Sequence, residues 1–165
     1  MEHQHPVGLL HHFPFLEWKW EVISMDFITG LPMTMRQHDS IMVVAVKLTK
    51  ASHFILVKST YKANAITKIF MKDIFRLHGL PKEIIFVRNT KFTSIFWKSL
   101  FADLGTKLNS NTACHPQTDG QIERVNQVLE DMLHMYVMEK QTKWEYCLHL
   151  MEFAYNNVGS RIQWA

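Results

Sequence analysis

The sequence predicts an α/β domain: a five-stranded mixed sheet flanked by α-helices. Three observations carry this expectation. The first half of the chain holds short runs rich in β-branched and aromatic residues, one of them apolar almost throughout. The second half holds segments whose apolar residues recur at three- and four-residue intervals. Strands come first and then alternate with helices, an order that produces a mixed sheet with helices packed on it.

Taken in order, residues 1–17 read as a polar, histidine-rich leader broken by Pro6, Gly8 and Pro14. Residues 18–29 (WKWEVISMDFIT) form the first strand, which stops at Gly30-Leu31-Pro32. Residues 40–48 (SIMVVAVKL) form the second, apolar enough to be central and buried on both faces. Residues 52–58 form a third, and the short link Thr49-Lys50-Ala51 makes the pair a hairpin. Over residues 63–78, Ile66, Ile69, Phe70, Ile74 and Leu77 fall at helical spacing, and Gly79 followed by Pro81 ends the helix. Residues 83–87 (EIIFV) are a brief strand, 93–104 a helix ending at Gly105, and 107–110 a short fifth strand. A long helix covers 117–138 after a loop-like approach at His115, Pro116 and Gly120, and a last helix covers 143–156.

At 165 residues, 47% of them hydrophobic, the chain is long enough to bury one domain's core. No apolar run reaches the roughly 18 residues that span a bilayer, and the N-terminus lacks the basic start and apolar stretch of a signal peptide. No membrane partner is expected. Cys114 and Cys147 stand far apart and outside any CxxC pattern, which argues against a disulfide framework or a cysteine zinc site. A reducing, nuclear or cytoplasmic, setting follows. The net charge of +3 is compatible with nucleic acid and does not demonstrate it.

Three features carry potential chemistry. Asp26 interrupts the apolar strand ISMDFI, where an unpaired buried carboxylate would cost several kcal/mol; it either has a partner or sits solvated at a strand end. Glu123, in HPQTDGQIER, is either a functional acid or an ordinary helix-start glutamate favoured by the macrodipole. Arg88, Asn89 and Lys91 follow the fourth strand, as contacts or as a solvated turn.

The segments WKWEVISMDFITGLP, HDSIMVV, LTKASHF, RLHGLPKEI, KFTSIFWKSL, LGTKL, HPQTDGQIERVNQVLEDML and WEYCLHLMEFAYNN run in order without large gaps. Together they resemble the integrase catalytic core of gypsy-type LTR retrotransposons, chromovirus-like and of plant type, over about residues 6–157. The resemblance implies a ribonuclease H-like fold and DNA integration by metal-dependent polynucleotidyl transfer. Such cores hold two Mg²⁺ or Mn²⁺ ions with two aspartates and a glutamate, because hard cations prefer oxygen ligands. The first aspartate falls on Asp26 and the glutamate on Glu123. The middle acid, separated from the glutamate by 35 residues in the family, falls on Val87. The register is held by KEII before and KFTS after, and the neighbouring acids of the family have become Asn89 and Val46. Valine offers no ligand atom. Weakened metal binding and impaired chemistry, a pseudoenzyme, are the consequence.

The resemblance further implies DNA contacts at Lys50, Lys91, His115, Gln117, Thr118, Gln121 and Arg124; each also reads simply as a solvated polar residue. Trp97, Trp144, Phe153 and Tyr155 are expected in core and dimer-interface packing, so a homodimer is anticipated. His3, His5, His11 and His12 lack cysteine partners and read as exposed loop. The organisation expected is a leader over 1–17 following a missing zinc module, a C-terminally truncated core-like domain over 18–157, and a divergent tail over 158–165. A non-catalytic nucleic-acid-binding or protein-interaction module is the alternative.

Overall fold

The computed structural model describes residues 21–86, 95–109 and 116–162. Its strands are β1 (Val22–Ile28), β2 (Ser40–Val46), β3 (Ser52–Val57), β4 (Glu83–Phe86) and β5 (Lys107–Asn109). They make one sheet in the order β3-β2-β1-β4-β5. The β1–β2 and β2–β3 pairs are antiparallel, whereas β1–β4 and β4–β5 are parallel, so the sheet is mixed as expected.

The alternation of a strand explains how the helices attach. On β2, Met42, Val44 and Val46 pack with Ile66, Phe70, Ile74 and Phe101 on one side of the sheet. Ile41, Val43 and Ala45 pack with Ile122, Val125, Leu129, Leu133 and Trp144 on the other. All seven β2 residues are buried, which is the two-faced burial its apolar run implied. β2 ends two residues earlier than expected because the chain turns sharply: Lys50 adopts φ 59° and its N–H donates to the Val46 carbonyl at 2.9 Å.

The helix expected over residues 63–78 is present with an interruption. α1 (Ala63–Phe70) passes through a π turn (Met71–Phe75) into α2 (Arg76–His78). The buried residues Ile66, Phe70 and Ile74 are four apart, and an ideal α-helix would rotate such a row by about 40° at every step. The wider π turn absorbs that drift and keeps Ile74 on the core. Leu77, expected on the same face, is exposed instead. Phe70 meets Phe101 of α3 (Ile95–Asp103) edge to face, with ring centres 5.7 Å apart.

On the opposite side lie α4 (Pro116–Glu139), a 3₁₀ turn (Trp144–Cys147) and α5 (Leu148–Ile162). Gly120, expected in a loop, lies inside α4, and α5 runs six residues past the expected end at Asn156. Gly159 is the residue that opposes that extension most, at about 1 kcal/mol relative to alanine. Trp144 is buried as expected and its indole N–H donates to the Pro32 carbonyl at 2.8 Å. Tyr155 packs edge to face on Phe54, while Phe153 is exposed. The side chain of Trp97 lies outside the described residues.

The β1–β2 connection is fastened by a carboxylate that sequence reasoning passed over. Glu145 is 3% exposed, and its Oε2 accepts the Thr34 hydroxyl at 2.7 Å and faces His38 Nδ1 at 2.9 Å. Arg36 Nε stands 3.9 Å from Oε1, and the Met35 N–H donates to the Thr142 carbonyl. Burial pushes the Glu145 carboxyl up, but the hydrogen bonds from Thr34 and His38, with the charges of His38 and Arg36, outweigh it and hold the group below its ordinary value. The ionised form is therefore the one that the fold selects.

A second fastening closes the outer edge of the sheet. β3 is an edge strand, and an unpaired edge invites pairing with another chain. Two side chains of α5, one turn apart, occupy its hydrogen-bonding groups. Asn156 accepts the Ser52 N–H at 2.8 Å and donates to the Ser52 carbonyl at 2.9 Å. Glu152 accepts the Phe54 N–H at 2.7 Å. Glu152 and Asn156 are the first and fifth residues of EFAYNN, so this motif substitutes for a neighbouring strand.

Two outcomes follow. Glu145→Gln removes a charged acceptor and should lower stability at pH 7 by about 1.5–3 kcal/mol. A carboxyl whose folded value is depressed stabilises above its unfolded value of about 4.3 and loses that contribution as pH falls. Urea unfolding of wild type and variant should therefore converge below about pH 4; curves that stay parallel at every pH would contradict the assignment. Asn156→Ala leaves the buried Ser52 backbone unpaired, so unfolding should show a loss of about 1–3 kcal/mol and light scattering should show faster self-association.

Candidate active site

β1 presents alternate residues to the two sides of the sheet. Ile23, Met25 and Phe27 join the core under α1 and α3, which leaves Ser24, Asp26 and Ile28 on the α4 side. Asp26 pairs in register with Val43 of β2 and is half-buried. Its Oδ1 accepts the Phe27 N–H at 2.8 Å, and its Oδ2 accepts a hydrogen bond from Asn126 Nδ2 at 2.8 Å. Asp26 is thus neither stranded in the core nor at a solvated strand end; it is tied to a helix.

α4 is set against the sheet by Ile122, Val125, Leu129 and Leu133, one side of a helix. Two polar tethers fix its position. Asn126 reaches Asp26, and Gln121 Nε2 donates to the Val46 carbonyl at 3.0 Å. The same carbonyl accepts the Lys50 N–H, so the β2–β3 turn and the early part of α4 meet on one oxygen. Glu123 lies between the two tethers, exposed, and one turn before Asn126 on the same flank. Arg124 follows, also exposed. Burial pushes the Tyr155 hydroxyl up, and a hydrogen bond with Ser52 and then the charge of Arg124 offset it in part.

The structure therefore brings Asp26, Glu123, Gln121, Arg124 and the Lys50 turn to one region where α4 crosses the central strands. Gln117 and Thr118 belong to the first turn of α4. Val87, Lys91 and His115 lie outside the described residues. The β1–β4 ladder ends with Met25 opposite Phe86; in sequence, Asp26 follows the one and Val87 the other.

The donors present suit a hard cation in kind. Asp26 and Glu123 contribute carboxylate oxygens, and beside Asp26 the buried Asn126 Oδ1 has no hydrogen-bond partner among the described residues. They fall short in number. Among the described residues no three histidine, cysteine, aspartate or glutamate side chains gather as a metal site. Among the described residues, the donors do not fit a complete two-ion centre.

Sequence reasoning did not find Asn126 or the tethering role of Gln121. Both stand among ordinary polar residues of an amphipathic helix, and only the strand that the helix covers gives them meaning.

No family model matches the chain. In sequence it is 32% identical over 152 residues to the Transposon Tf2-3 polyprotein of Schizosaccharomyces pombe, and equally to the Tf2-4 polyprotein of the same organism. The match takes in 92% of this chain and 11% of each polyprotein, so the chain spans about a tenth of the length of these relatives. In structure it is similar to the HTLV-2 integrase catalytic core domain in complex with magnesium, with a TM-score of 0.62, 13% identity, and coverage of 83% of this chain and 85% of that one. The catalytic core domain of BIV integrase gives a TM-score of 0.62 at 17% identity, covering 81% of each chain. The five-stranded mixed sheet with its flanking helices is thus the ribonuclease H-like fold of integrase cores. The chain is homologous to a segment of a transposon polyprotein with that fold.

Proposed function

We propose that this chain is the integrase core of a gypsy-type LTR retrotransposon, chromovirus-like and of plant type, which engages DNA but is impaired in polynucleotidyl transfer at Val87. The observation that carries the proposal is the tie between Asp26 on β1 and Asn126 on α4, with Glu123 one turn away. Two of the three acids expected of such a core are then organised by one strand and one helix, and the third position is a valine.

Divalent ions in an intact site of this kind activate the attacking oxygen and stabilise the leaving one in an in-line displacement. Asp26 and Glu123 are the residues that would hold Mg²⁺ or Mn²⁺ here, more weakly than a full set of acids. Asn126 acts on Asp26 by fixing its carboxylate; Val87 contributes no oxygen. Losing even an outer partner of a metal ligand costs about 10–100-fold, and losing a ligand costs more.

DNA is the proposed partner, held by Lys50, Gln121 and Arg124 around the head of α4, with Lys91, His115, Gln117 and Thr118 completing the contact. The proposed functional unit is residues 18–157, nuclear or cytoplasmic. It pairs as a homodimer, a reading that the exposed Phe153 on α5 favours.

Strand transfer by the purified chain in Mn²⁺, beside Val87→Asp, tests the chemistry. The variant should exceed wild type by at least about 10–100-fold; comparable activity in both would refute impairment at Val87. Binding to duplex DNA should weaken with salt, and Lys50→Ala should shorten the log–log slope by about 0.9. Salt-independent or absent binding would leave the protein-interaction reading instead.

A further inference from the structure

Glu152 and Asn156 guard the outer edge of the sheet along only part of its length. Alternate residues of an edge strand turn their N–H and C=O groups outward. Asn156 takes both groups of Ser52, which sets the phase, so Phe54 and Leu56 face outward as well. Glu152 takes the Phe54 N–H. The Phe54 carbonyl and both backbone groups of Leu56 then have no partner among the described residues. Peptide groups left open in this way are a template for another strand.

The open stretch lies in a cleft of about 430 Å³, lined by Phe54, Ile55 and Leu56 of the strand, by the π turn and α2, and by the start of α5. Ile55 and Leu56 are half-buried, and Leu77, turned away from the core, is exposed in the lining. The charges of the lining are unequal. Glu152 is committed to the Phe54 N–H and stands 3.6 Å from His53 Nδ1. Lys72 and Arg76 are exposed and form no ion pair among the described residues. Asp73 opposes them, one acid against two cations.

We propose that this stretch of β3 docks an extended acidic segment of a partner protein, which adds to the sheet as a further strand opposite Leu56. Main-chain hydrogen bonds supply affinity in such strand addition, and alternate side chains supply specificity. A partner residue facing Leu56 exchanges both N–H···O bonds with it and turns its side chain to the same face. An apolar residue suits that position. Its two neighbours turn to the opposite face, that of Ile55, where the π turn and α2 present Lys72, Arg76 and Leu77. Glutamate suits these positions, since its methylenes cover Leu77 while its carboxylate meets the cations. A second copy of the chain fits less well, because antiparallel pairing of two Leu56 edges brings the Lys72 and Arg76 of both copies to one face of the joined sheet.

The test uses the full chain and a fluorescein-labelled peptide of alternating glutamate and valine, about six residues long. Fluorescence anisotropy should show binding that the lysine–valine counterpart lacks. Lys72→Ala and Arg76→Ala, both at exposed positions, should each weaken it about 1.5–5-fold. N-methylation of the valines removes the donor to the Leu56 carbonyl and should weaken it about tenfold. Amide hydrogen exchange of the unaltered chain, free of any folding defect in a variant, should show the Leu56 N–H slowed by the peptide. Absent binding, equal binding of the lysine peptide, or protection that spares Leu56 would overturn the proposal. So would protection of Leu56 by duplex DNA, or by raised protein concentration with no peptide, which would give the edge to those occupants. Strand transfer restored by Val87→Asp is independent of every one of these results, so the two readings fail separately.

Discussion

Asp26 stands in a central strand, on the side of the sheet that α4 covers, where a half-buried carboxylate calls for hydrogen-bond donors. The Phe27 backbone N–H and Asn126 Nδ2 both donate to it. This requirement reaches well beyond the residue itself. It obliges α4 to lie at one height along β1, and the apolar row Ile122, Val125, Leu129 and Leu133 then fixes its rotation. With height and rotation set, Gln121 meets the Val46 carbonyl and Glu123 falls one turn before Asn126 on the exposed flank. The arrangement is thus a by-product of satisfying one carboxylate.

The rest of the molecule keeps that arrangement in place from its borders. Glu145 binds the β1–β2 connection to the turn ahead of α5, and Trp144 reinforces it at Pro32. Glu152 and Asn156 cover the open edge of β3 with side-chain groups. Both devices place polar side chains of the C-terminal segments onto the β1–β2 connection and β3. The last described segment of the chain therefore stabilises the first.

Much of this was readable from the residues. The apolar run of β2 announced a strand buried on both faces, and its turn to β3 was visible in the shortness of Thr49-Lys50-Ala51. What escaped depends on contacts between distant segments. Nothing local distinguishes Asn126 from Gln127, or Glu145 from any helix-start acid, until the facing strand or loop is known. The π turn in the helix over residues 63–78 escaped for a related reason: a four-residue apolar row fits an α-helix in sequence, and only the core tells which member must rotate outward. Leu77 was that member.

In the proposed reading, two of the acids that the resemblance implies fall on β1 and α4, and the sequence has valine at the third position. On that reading the missing acid costs the fold nothing, since removing one member of a carboxylate cluster relieves like-charge repulsion, and the proposal is that fold and chemistry separate at this position. Calorimetric titration of Mg²⁺ or Mn²⁺ into the wild-type chain and into Val87→Asp examines that separation directly. The account predicts that both chains fold alike and that a well-defined binding event develops only in the variant. A wild-type chain that binds the ions as tightly as the variant would contradict it.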